Sequence, residues 1–422
     1  MVRRMLRICK HSQGFTLVEM IVVMAVFLII LAIAAQSFNT IVTQASKFTK
    51  IEESNIEGVI GLEVMRHDLE QMGFGLPWQF KTNPLSYDES TVAHPSTNDT
   101  DSSHNGKPPR AFVGLDGFSN FSSDFIGVKG TTVGSTKASQ RWTYIPFRQS
   151  FQNLSSRPIT WPSNNLQDTV PRDSVIVIRS NFNDPGDDHL LLDSGGIFFS
   201  NYYTNGDFVD DFLPATDQQA HMVYGIVNSK NNQPRMPFNR ADFFIKVPNS
   251  STTGNSLPLF CGQGTGTLYK ATVNHNNTSG TSGGGYNYIP LLDCVADMQV
   301  VLGWDTSDGG NANSVDAYSS LPKLSDGSVS ATNSAASSIQ GWLTDPKGIR
   351  EHLKMIKVYI LAQEGKLDRG YTYPKASIVV GDVDSGEKFL TREYTFTSAQ
   401  RQYHWKLYRI IVRPKNLVSN QR

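Results

Sequence analysis

The sequence lacks an excess of charge of either sign, and only a small share of its residues is charged. It contains 38 Lys and Arg against 38 Asp and Glu in 422 residues, and charged residues make up 18% of the chain. A basic surface that binds nucleic acid by neutralising phosphates is therefore not indicated. Ser, Thr, Asn and Gly are abundant instead, which is typical of a β-rich exported domain with long polar loops.

The sequence also lacks the motifs of metal-dependent and hydrolytic enzymes. The nine histidines are scattered, without an H-E-x-x-H pattern or paired Cys/His spacing, so no zinc site is predicted. One G-x-S-x-G match, Gly280–Gly284, lies in a glycine- and serine-rich tract without the flanking strand and helix that a nucleophilic serine requires. Gly262–Gly266 is rich in glycine, but no helix follows it that would bind a phosphate. We therefore predict no catalytic residues and no enzymatic activity.

Cysteine is scarce. The three cysteines are Cys9, Cys261 and Cys294, and Cys9 lies in a basic N-terminal segment that is set apart from the rest of the chain. The remaining even pair in an exported protein is most simply a disulfide between Cys261 and Cys294. Two buried free thiols are the alternative interpretation.

The one long hydrophobic run lies near the N-terminus. From Phe15 to Phe38 the only charged residue is Glu19, and Met20–Ala35 is apolar throughout. A run of this length is about enough to cross a bilayer as a helix, and the basic residues before it would stay on the cytoplasmic side. An ordinary signal anchor or a cleaved secretory signal peptide, with Ala32-Ile33-Ala34 as its cleavage site, would share these features. Neither explains Glu19, because an unpaired charge in a membrane span costs about 2.5–3.5 kcal/mol.

The residues around that carboxylate resemble the cleavage and methylation motif of type IV prepilins. Gly14-Phe15-Thr16-Leu17-Val18-Glu19 precedes the apolar run. The resemblance implies cleavage after Gly14 by prepilin peptidase and N-methylation of the new terminal Phe15. It also implies that Glu19 neutralises the Phe15 amine of a neighbouring subunit, which would favour correct axial register in a dry helical core.

The apolar run continues into an amphipathic pattern that predicts one helix from Phe15 to about Met72. Gly73 and Gly75 then supply a C-terminal stop. Gly58 and Gly61 indicate either a bend or the close approach of a strand, and we favour close approach. The stripe expected to pack under a globular domain consists of Phe48, Ile51, Leu62, Met65, Leu69 and Met72.

Beyond Leu76 the pattern changes to short β-branched or aromatic segments separated by turn residues, so the fold class is α+β. A short helix is predicted at Ile349–Leu353, and the polar tracts 86–107, 274–285 and 307–340 are predicted to be surface loops or disordered insertions. The predicted strands are Arg110–Val113, Arg141–Phe147, Ser174–Arg179, Gly196–Tyr202, Met222–Val227, Phe243–Val247, Leu268–Val273, Val295–Gly303, Met355–Glu364, Ala376–Val380, Arg392–Thr397 and Lys406–Val412.

These features divide the chain into four predicted regions. They are a prepilin leader (1–14), a transmembrane or filament-core half of the helix (15–38), an amphipathic half (39–76) and a β-rich globular domain with polar loop insertions (77–422). Within the domain, one Asp-rich loop is partly similar to a Ca²⁺ loop, although it lacks the bidentate Glu at its twelfth position. A solvated hairpin is the favoured alternative there. The candidate Ca²⁺ ligands are Asp305, Ser307, Asp308 and Asp316.

Several downstream segments are similar to the minor pilins of the PilW type. This resemblance implies a minor type IV pilin that helps to initiate or cap the pilus, with other major and minor pilins, prepilin peptidase and an inner-membrane assembly platform as partners. The implied location is the inner membrane, with the leader cytoplasmic and the domain periplasmic, and then the pilus on the cell surface. The matching segments are Arg66–Leu69, Met72–Gly75, Leu291–Val300, Gly303–Asp305, Ile349–Leu361 and Arg409–Arg413.

Two other functions remain open at this point. A minor pseudopilin of a type II secretion system would share the same N-terminal motif and similar strands. A tip-located adhesin would use its loops to bind a surface or a ligand. The size of the domain, roughly 350 residues, favours a rare subunit over one repeated along a thin filament.

Overall fold

The computed structural model describes residues 14, 16–80, 85, 87–99, 107–118, 121–147, 166–167, 172–181, 189–202, 212–214, 216, 219–228, 233–249, 253, 256–275, 284–307 and 314–417. Within these residues, one long apolar N-terminal helix is followed by a large β-rich region that contains several sheets. The α+β fold class predicted from the sequence is confirmed.

The first helix, α1 (Leu17–Gln71), is continuous over 55 residues and is about 83 Å long. This confirms the predicted helix within the described residues; Phe15 lies outside them. The helix ends where predicted, because Gly73 and Gly75 both adopt left-handed backbone conformations, with φ of +79° and +68°.

The β-rich region contains sixteen strands and two further short α-helices within the described residues. The helices are α2 (Ala336–Thr344) and α3 (Pro346–His352). The strands are β1 (Gln79–Phe80), β2 (Phe112–Phe118), β3 (Ser123–Gly130), β4 (Trp142–Pro146), β5 (Asp173–Asn181), β6 (His189–Leu190), β7 (Ser200–Asn201), β8 (Gln219–Asn228), β9 (Asn239–Lys246), β10 (Gly266–Val273), β11 (Tyr286–Trp304), β12 (Ala317–Ser319), β13 (Leu353–Glu364), β14 (Ser377–Gly381), β15 (Thr391–Thr395) and β16 (His404–Val412).

The strands form three sheets. The large sheet has the order β16–β13–β11–β10–β9–β3–β2, with β12 beside β11, and its long pairings are antiparallel. The second sheet has the order β1–β6–β5–β8–β4, with β7 beside β5, and β14 pairs with β15 in a separate hairpin. The largest hydrophobic core lies between the large sheet and the C-terminal part of α1, and it includes apolar residues of α2 and α3.

Most predicted strands are confirmed, with shifted ends. The prediction at Gly196–Tyr202 is wrong for most of its length, because only the two-residue β7 forms there. Strand β3 was not predicted. The short helix predicted at Ile349–Leu353 is confirmed as α3, which begins at Pro346. The tract 307–340, predicted to be a loop or disordered insertion, instead contains β12 and the start of α2.

One polar tract is not a surface loop as predicted. Within 86–107, residues 87–99 pack against the large sheet, and Glu89 and Asp99 are almost completely buried. The prediction failed because burial of these carboxylates is compensated by cations from distant strands. Lys129 contacts Glu89 at 2.9 Å and Asp99 at 2.5 Å, and Arg240 contacts Glu89 at 2.8 Å.

Candidate assembly site on the N-terminal helix

The start of α1 is closed by reciprocal hydrogen bonds between Thr16 and Glu19. The backbone N–H and the hydroxyl of Thr16 donate to Oε2 of Glu19 at 2.8 and 2.9 Å, and the Glu19 N–H donates to Thr16 Oγ1 at 3.3 Å. This capping box satisfies two backbone donors that a helix N-terminus leaves unpaired. Sequence reasoning missed this role of Thr16, although the T-x-x-E spacing before an apolar run is its signature.

The two residues expected to flank the cleaved peptide bond are Gly14 and Phe15. Gly14 is exposed, and a β-carbon at this position would meet no atom within 4 Å. Phe15 lies outside the described residues, so the expected cleavage and methylation stay predictions. Glu19 is exposed beside Thr16 and therefore accessible to another chain.

Residues Leu17–Ser46 of α1 form a 30-residue candidate membrane span, with its most apolar stretch uncovered by the rest of the chain. The mean hydropathy of their most apolar stretch is 3.0, and none of that stretch is buried. Large side chains such as Leu17, Phe27 and Phe38 are 77%, 61% and 65% exposed. By length and composition this segment can cross a membrane, which is consistent with a membrane-anchored protein.

The C-terminal part of α1 carries apolar residues on two faces. Leu62, Met65, Leu69 and Met72 are buried against the large sheet, as predicted. Phe48, assigned to the same stripe, is 67% exposed, because that part of the helix precedes its contact with the domain core. The other face remains uncovered, with the apolar residues Ile56, Val59, Ile60 and Val64 exposed.

The closest approach between helix and sheet is at Gly61. A β-carbon at Gly61 would lie 1.8 Å from the carbonyl oxygen of Leu291 in β11, and one at Gly58 would lie 3.0 Å from the Tyr408 hydroxyl. This confirms that the glycines mark close packing against strands and explains why a helix contains them despite their low helix propensity.

Two ion pairs fix the helix end on the domain. The Lys270 Nζ of β10 lies 2.6 Å from an oxygen of Asp68, and both side chains are almost fully buried. Burial raises the pKa of Asp68, while Lys270 opposes this shift by favouring the charged carboxylate. At the surface, Lys415 pairs with Glu70 at 2.5 Å, and its backbone N–H donates to the Glu70 carbonyl. These contacts fix the C-terminal end of α1 relative to the domain.

The expected disulfide is present. Cys261 and Cys294 are joined, with their α-carbons 5.0 Å apart. Cys294 has a left-handed backbone, with φ of +55°, and it lies at a β-bulge where β11 passes from its pairing with β10 to its pairing with β13. The disulfide thus ties the loop before β10 to the bulged part of the long central strand.

The candidate Ca²⁺ ligands face different partners. Asp305 is buried, with Oδ2 3.7 Å from Lys354 Nζ, and Ser307 donates to its Oδ1. Asp316 accepts hydrogen bonds from the backbone and hydroxyl of Thr306 at 2.9 and 3.0 Å. Asp308 lies outside the described residues, and within them no group of three or more His, Cys, Asp or Glu side chains could hold a metal ion. Calcium binding stays an untested expectation.

The comparisons with known proteins concern the N-terminal segment. The family model of the prokaryotic N-terminal methylation motif matches residues 9–35. No curated protein and no solved structure is significantly similar to the chain. The matched residues include Gly14, Thr16, Glu19 and the membrane-span residues up to Ala35, so this segment is a prepilin motif of the type IV pilin and pseudopilin class. Pilin-like proteins of this class are typically structural rather than enzymatic.

Proposed function

Taking the prepilin motif at residues 9–35 as the premise, we propose that the chain is a minor type IV pilin, similar to PilW, that helps to initiate or cap the pilus. The observation that supports this proposal is the difference between the exposed first part of α1 and its buried C-terminal end. Its first 30 residues form a candidate membrane span with an uncovered apolar stretch, whereas its last turns are packed against a folded domain. Such a helix needs an apolar environment that the chain itself does not supply: first the lipid bilayer, and then the helices of other subunits.

The proposed course begins in the inner membrane, with the leader cytoplasmic and the domain periplasmic. Prepilin peptidase cuts after Gly14 and Phe15 is methylated, while the apolar helix stays in the bilayer. The assembly platform then transfers the subunit from lipid to a bundle of pilin helices. In this scheme 15–38 forms the filament core, 39–76 carries the amphipathic half of the helix, and 77–422 forms the domain.

Glu19 has two roles in this proposal. Its hydrogen bonds to Thr16 cap the helix within the subunit. In the filament its charge would neutralise the methylated amine of a neighbouring Phe15, because an unpaired charge in a dry core is strongly unfavourable. Only the correct axial register brings the two groups together.

The exposed face at Ile56, Val59 and Ile60 extends this contact surface beyond the membrane segment. These three side chains are 60–64% exposed, on the part of α1 that is seated on the domain. Their burial by adjacent pilin helices would stabilise the filament, with about 25 cal/mol gained for each Å² of apolar surface removed from water. The rigid contact at Gly61 then sets where the domain lies relative to the filament axis.

A minor pseudopilin of a type II secretion system is the second candidate, because the matched motif is common to pilins and pseudopilins. Deletion of the coding sequence separates the two. Loss of surface pili and of twitching motility supports the pilus, whereas loss of secreted enzymes with normal pili supports the secretion system. A tip adhesin would leave pilus number unchanged and abolish cell adhesion.

Complementation with Gly14→Leu tests the common premise. We expect an uncut product that stays in the membrane and does not restore the lost function, because a bulky side chain obstructs the peptidase site. The matched control is Gly341→Leu, at an exposed glycine of α2 where an added β-carbon would meet no atom within 4 Å. A normally processed Gly14→Leu product would contradict the cleavage proposal.

A further inference from the structure

A loop of the domain contacts α1 where its apolar segment ends. Nζ of Lys366 donates to Oγ of Ser46 at 3.0 Å, and Ser46 is the last residue of the 30-residue candidate membrane span. Thirty helical residues are about 45 Å long, close to the thickness of a bilayer with both headgroup layers. When Leu17–Ser46 crosses a membrane, Lys366 therefore lies at the level of the outer headgroups.

A second loop lies at the same end of the domain. The side chain of Gln363 donates to the Phe260 carbonyl at 2.9 Å and accepts from the Gly262 N–H at 2.6 Å. Gln363 is only three residues before Lys366, so the loop 256–262 is fixed beside the loop that follows β13. Within it, the Cys261 N–H donates to the Pro258 carbonyl and closes a turn.

The tip of that turn is a leucine with no cover. Leu259 has a relative exposure of 105%, the highest of the large apolar side chains in the described part of the chain. The turn is held by the Cys261–Cys294 disulfide and by Gln363, so Leu259 is presented on a fixed support. A single exposed leucine needs no explanation by itself, but Leu259 is held on a braced turn beside the loop that contacts Ser46, which places it to enter the apolar layer of a membrane.

The segment that follows β13, which Gln363 ties to the loop of Leu259, carries side chains suited to a lipid surface. Lys366, Arg369 and Lys375 are exposed cations, and Leu367 is a second exposed leucine. The acid of this segment, Asp368, is half-buried and accepts from the Gly370 N–H through Oδ1. Cations beside apolar residues at the end of a membrane helix match anionic headgroups above an acyl layer. We call Leu259, Lys366, Leu367, Arg369 and Lys375 the membrane-proximal face.

We propose that the membrane-proximal face binds anionic lipid headgroups of the leaflet from which α1 emerges after Ser46, with Leu259 inserted among the acyl chains. The inference rests on the proposed function, because it requires α1 to span a membrane before assembly. It adds a second lipid contact to the subunit, made by the folded domain. Transfer into a filament must break this contact, so the lipid surface opposes extraction of the subunit until other pilins replace it.

The test uses the full-length chain in nanodiscs of phosphatidylcholine, with or without phosphatidylglycerol. Amide hydrogen exchange of 256–262 and 364–375 should slow in the anionic discs and recover at high salt, where headgroup charges are screened. In the variant Arg369→Ala/Lys375→Ala, this protection from exchange should fall about fivefold for each cation removed. Leu259→Asp should abolish the protection of 256–262.

The matched control is Val92→Asp. Val92 is 55% exposed and follows Thr91, whose N–H donates to the carbonyl of Gly284. Because Gly284 lies near the opposite end of β10 from Leu259, the Val92→Asp variant should leave the hydrogen exchange of both loops unchanged. If α1 fails to enter the discs, the proposed function fails. If α1 inserts but neither loop is protected, only the lipid contact is refuted. Protection that arises only after other pilins are added would also overturn it and assign the face to a protein partner.

Discussion

Gly61 of α1 lies directly against the carbonyl of Leu291, so that a β-carbon at residue 61 would be 1.8 Å from that oxygen. At this point the backbone of the helix lies against the backbone of strand β11, with no space for a side chain between the two. Together with the Asp68–Lys270 ion pair, it makes the helix and the sheet one rigid unit.

Gly61→Ala should therefore destabilise the chain by up to about 2 kcal/mol, because overpacking costs about 1–3 kcal/mol and helix propensity returns roughly 1 kcal/mol. Denaturant unfolding of the full chain in micelles measures this change. Gly341→Ala is the control, since a β-carbon there meets nothing and should stabilise α2. Equal stabilisation of both variants would show that the helix does not pack this closely.

Two substitutions separate the capping role of Glu19 from its charge. Glu19→Gln keeps a side chain that can accept the capping hydrogen bonds, whereas Glu19→Ala removes both functions. We expect both variants to be processed and both to incorporate poorly into filaments, because assembly needs the negative charge. Incorporation is measured by immunoblotting sheared filaments. Normal incorporation of Glu19→Gln would mean that capping alone matters.

Asp68→Asn should lower the free energy of unfolding by about 3–5 kcal/mol, because it leaves Lys270 buried without its counter-charge. The exposed Glu63–Arg66 pair on the same helix is the control, and Glu63→Gln should cost less than about 1 kcal/mol. The double variant Asp68→Asn/Lys270→Met should recover part of the loss. A loss for Asp68→Asn no larger than the control would contradict burial of the pair.

Removal of the disulfide should destabilise the domain. The bridge closes a loop with a sequence separation of 33 residues, for which chain entropy predicts about 3–4 kcal/mol. The variant Cys261→Ser/Cys294→Ser should therefore unfold at lower denaturant, and a reducing agent should have the same effect on the unaltered chain. Peptide mapping without reduction should recover the two cysteines as one linked pair. Two alkylatable thiols would refute the bridge.

Asp297 should make stability depend on pH. Its side chain is fully buried, and burial raises its pKa to about 6, although Arg392 at 3.3 Å opposes the shift. Since the folded pKa lies above the ordinary value of 3.8, the folded chain holds a proton that the unfolded chain has released. Stability from this group is thus full below about pH 4 and lost as the pH rises to about 6.

The measurement compares unfolding of the unaltered chain and Asp297→Asn from about pH 4 to pH 7. The difference in the free energy of unfolding between the two chains should change by up to about 3 kcal/mol in favour of the variant as the pH rises. His221 and His275, whose pKa values burial lowers to about 4, contribute equally to both chains and cancel. A difference that does not vary with pH would show that the pKa of Asp297 is not raised.

The helix and many strands were predictable because their patterns are local. Strand β13 is rich in apolar and β-branched residues, and α1 has an uninterrupted helical period without proline. Strand β3 was missed because it is buried on both faces and still contains Asp124 and Lys129, so neither alternation nor an apolar run marks it. Helix α2 was missed because only Ile339 and Leu343 of its nine residues are buried.

The candidate site was predictable in part for the same reason. Gly14 and Glu19 belong to a short contiguous motif, and Gly61 is conspicuous within a helix. The partners Leu291 and Lys270 come from distant strands, and only the fold shows which side chains they meet. The burial of the charged residues in 87–99 could not be foreseen, because a carboxylate is expected at the surface until its counter-ion is placed.

The buried charges also constrain the order in which the chain becomes ordered. Arg240, which contacts Glu89, follows it by 151 positions. A chain that crosses the membrane from its N-terminal side exposes Glu89 long before Arg240 emerges, and uncompensated carboxylates do not enter an apolar interior. Lys129 follows Glu89 by 40 positions and can pair with it earlier, but in the proposed export the ion-pair network of residues 87–99 is complete only once strand β9 has crossed the membrane, which makes completion of the sheet a late, long-range step in maturation.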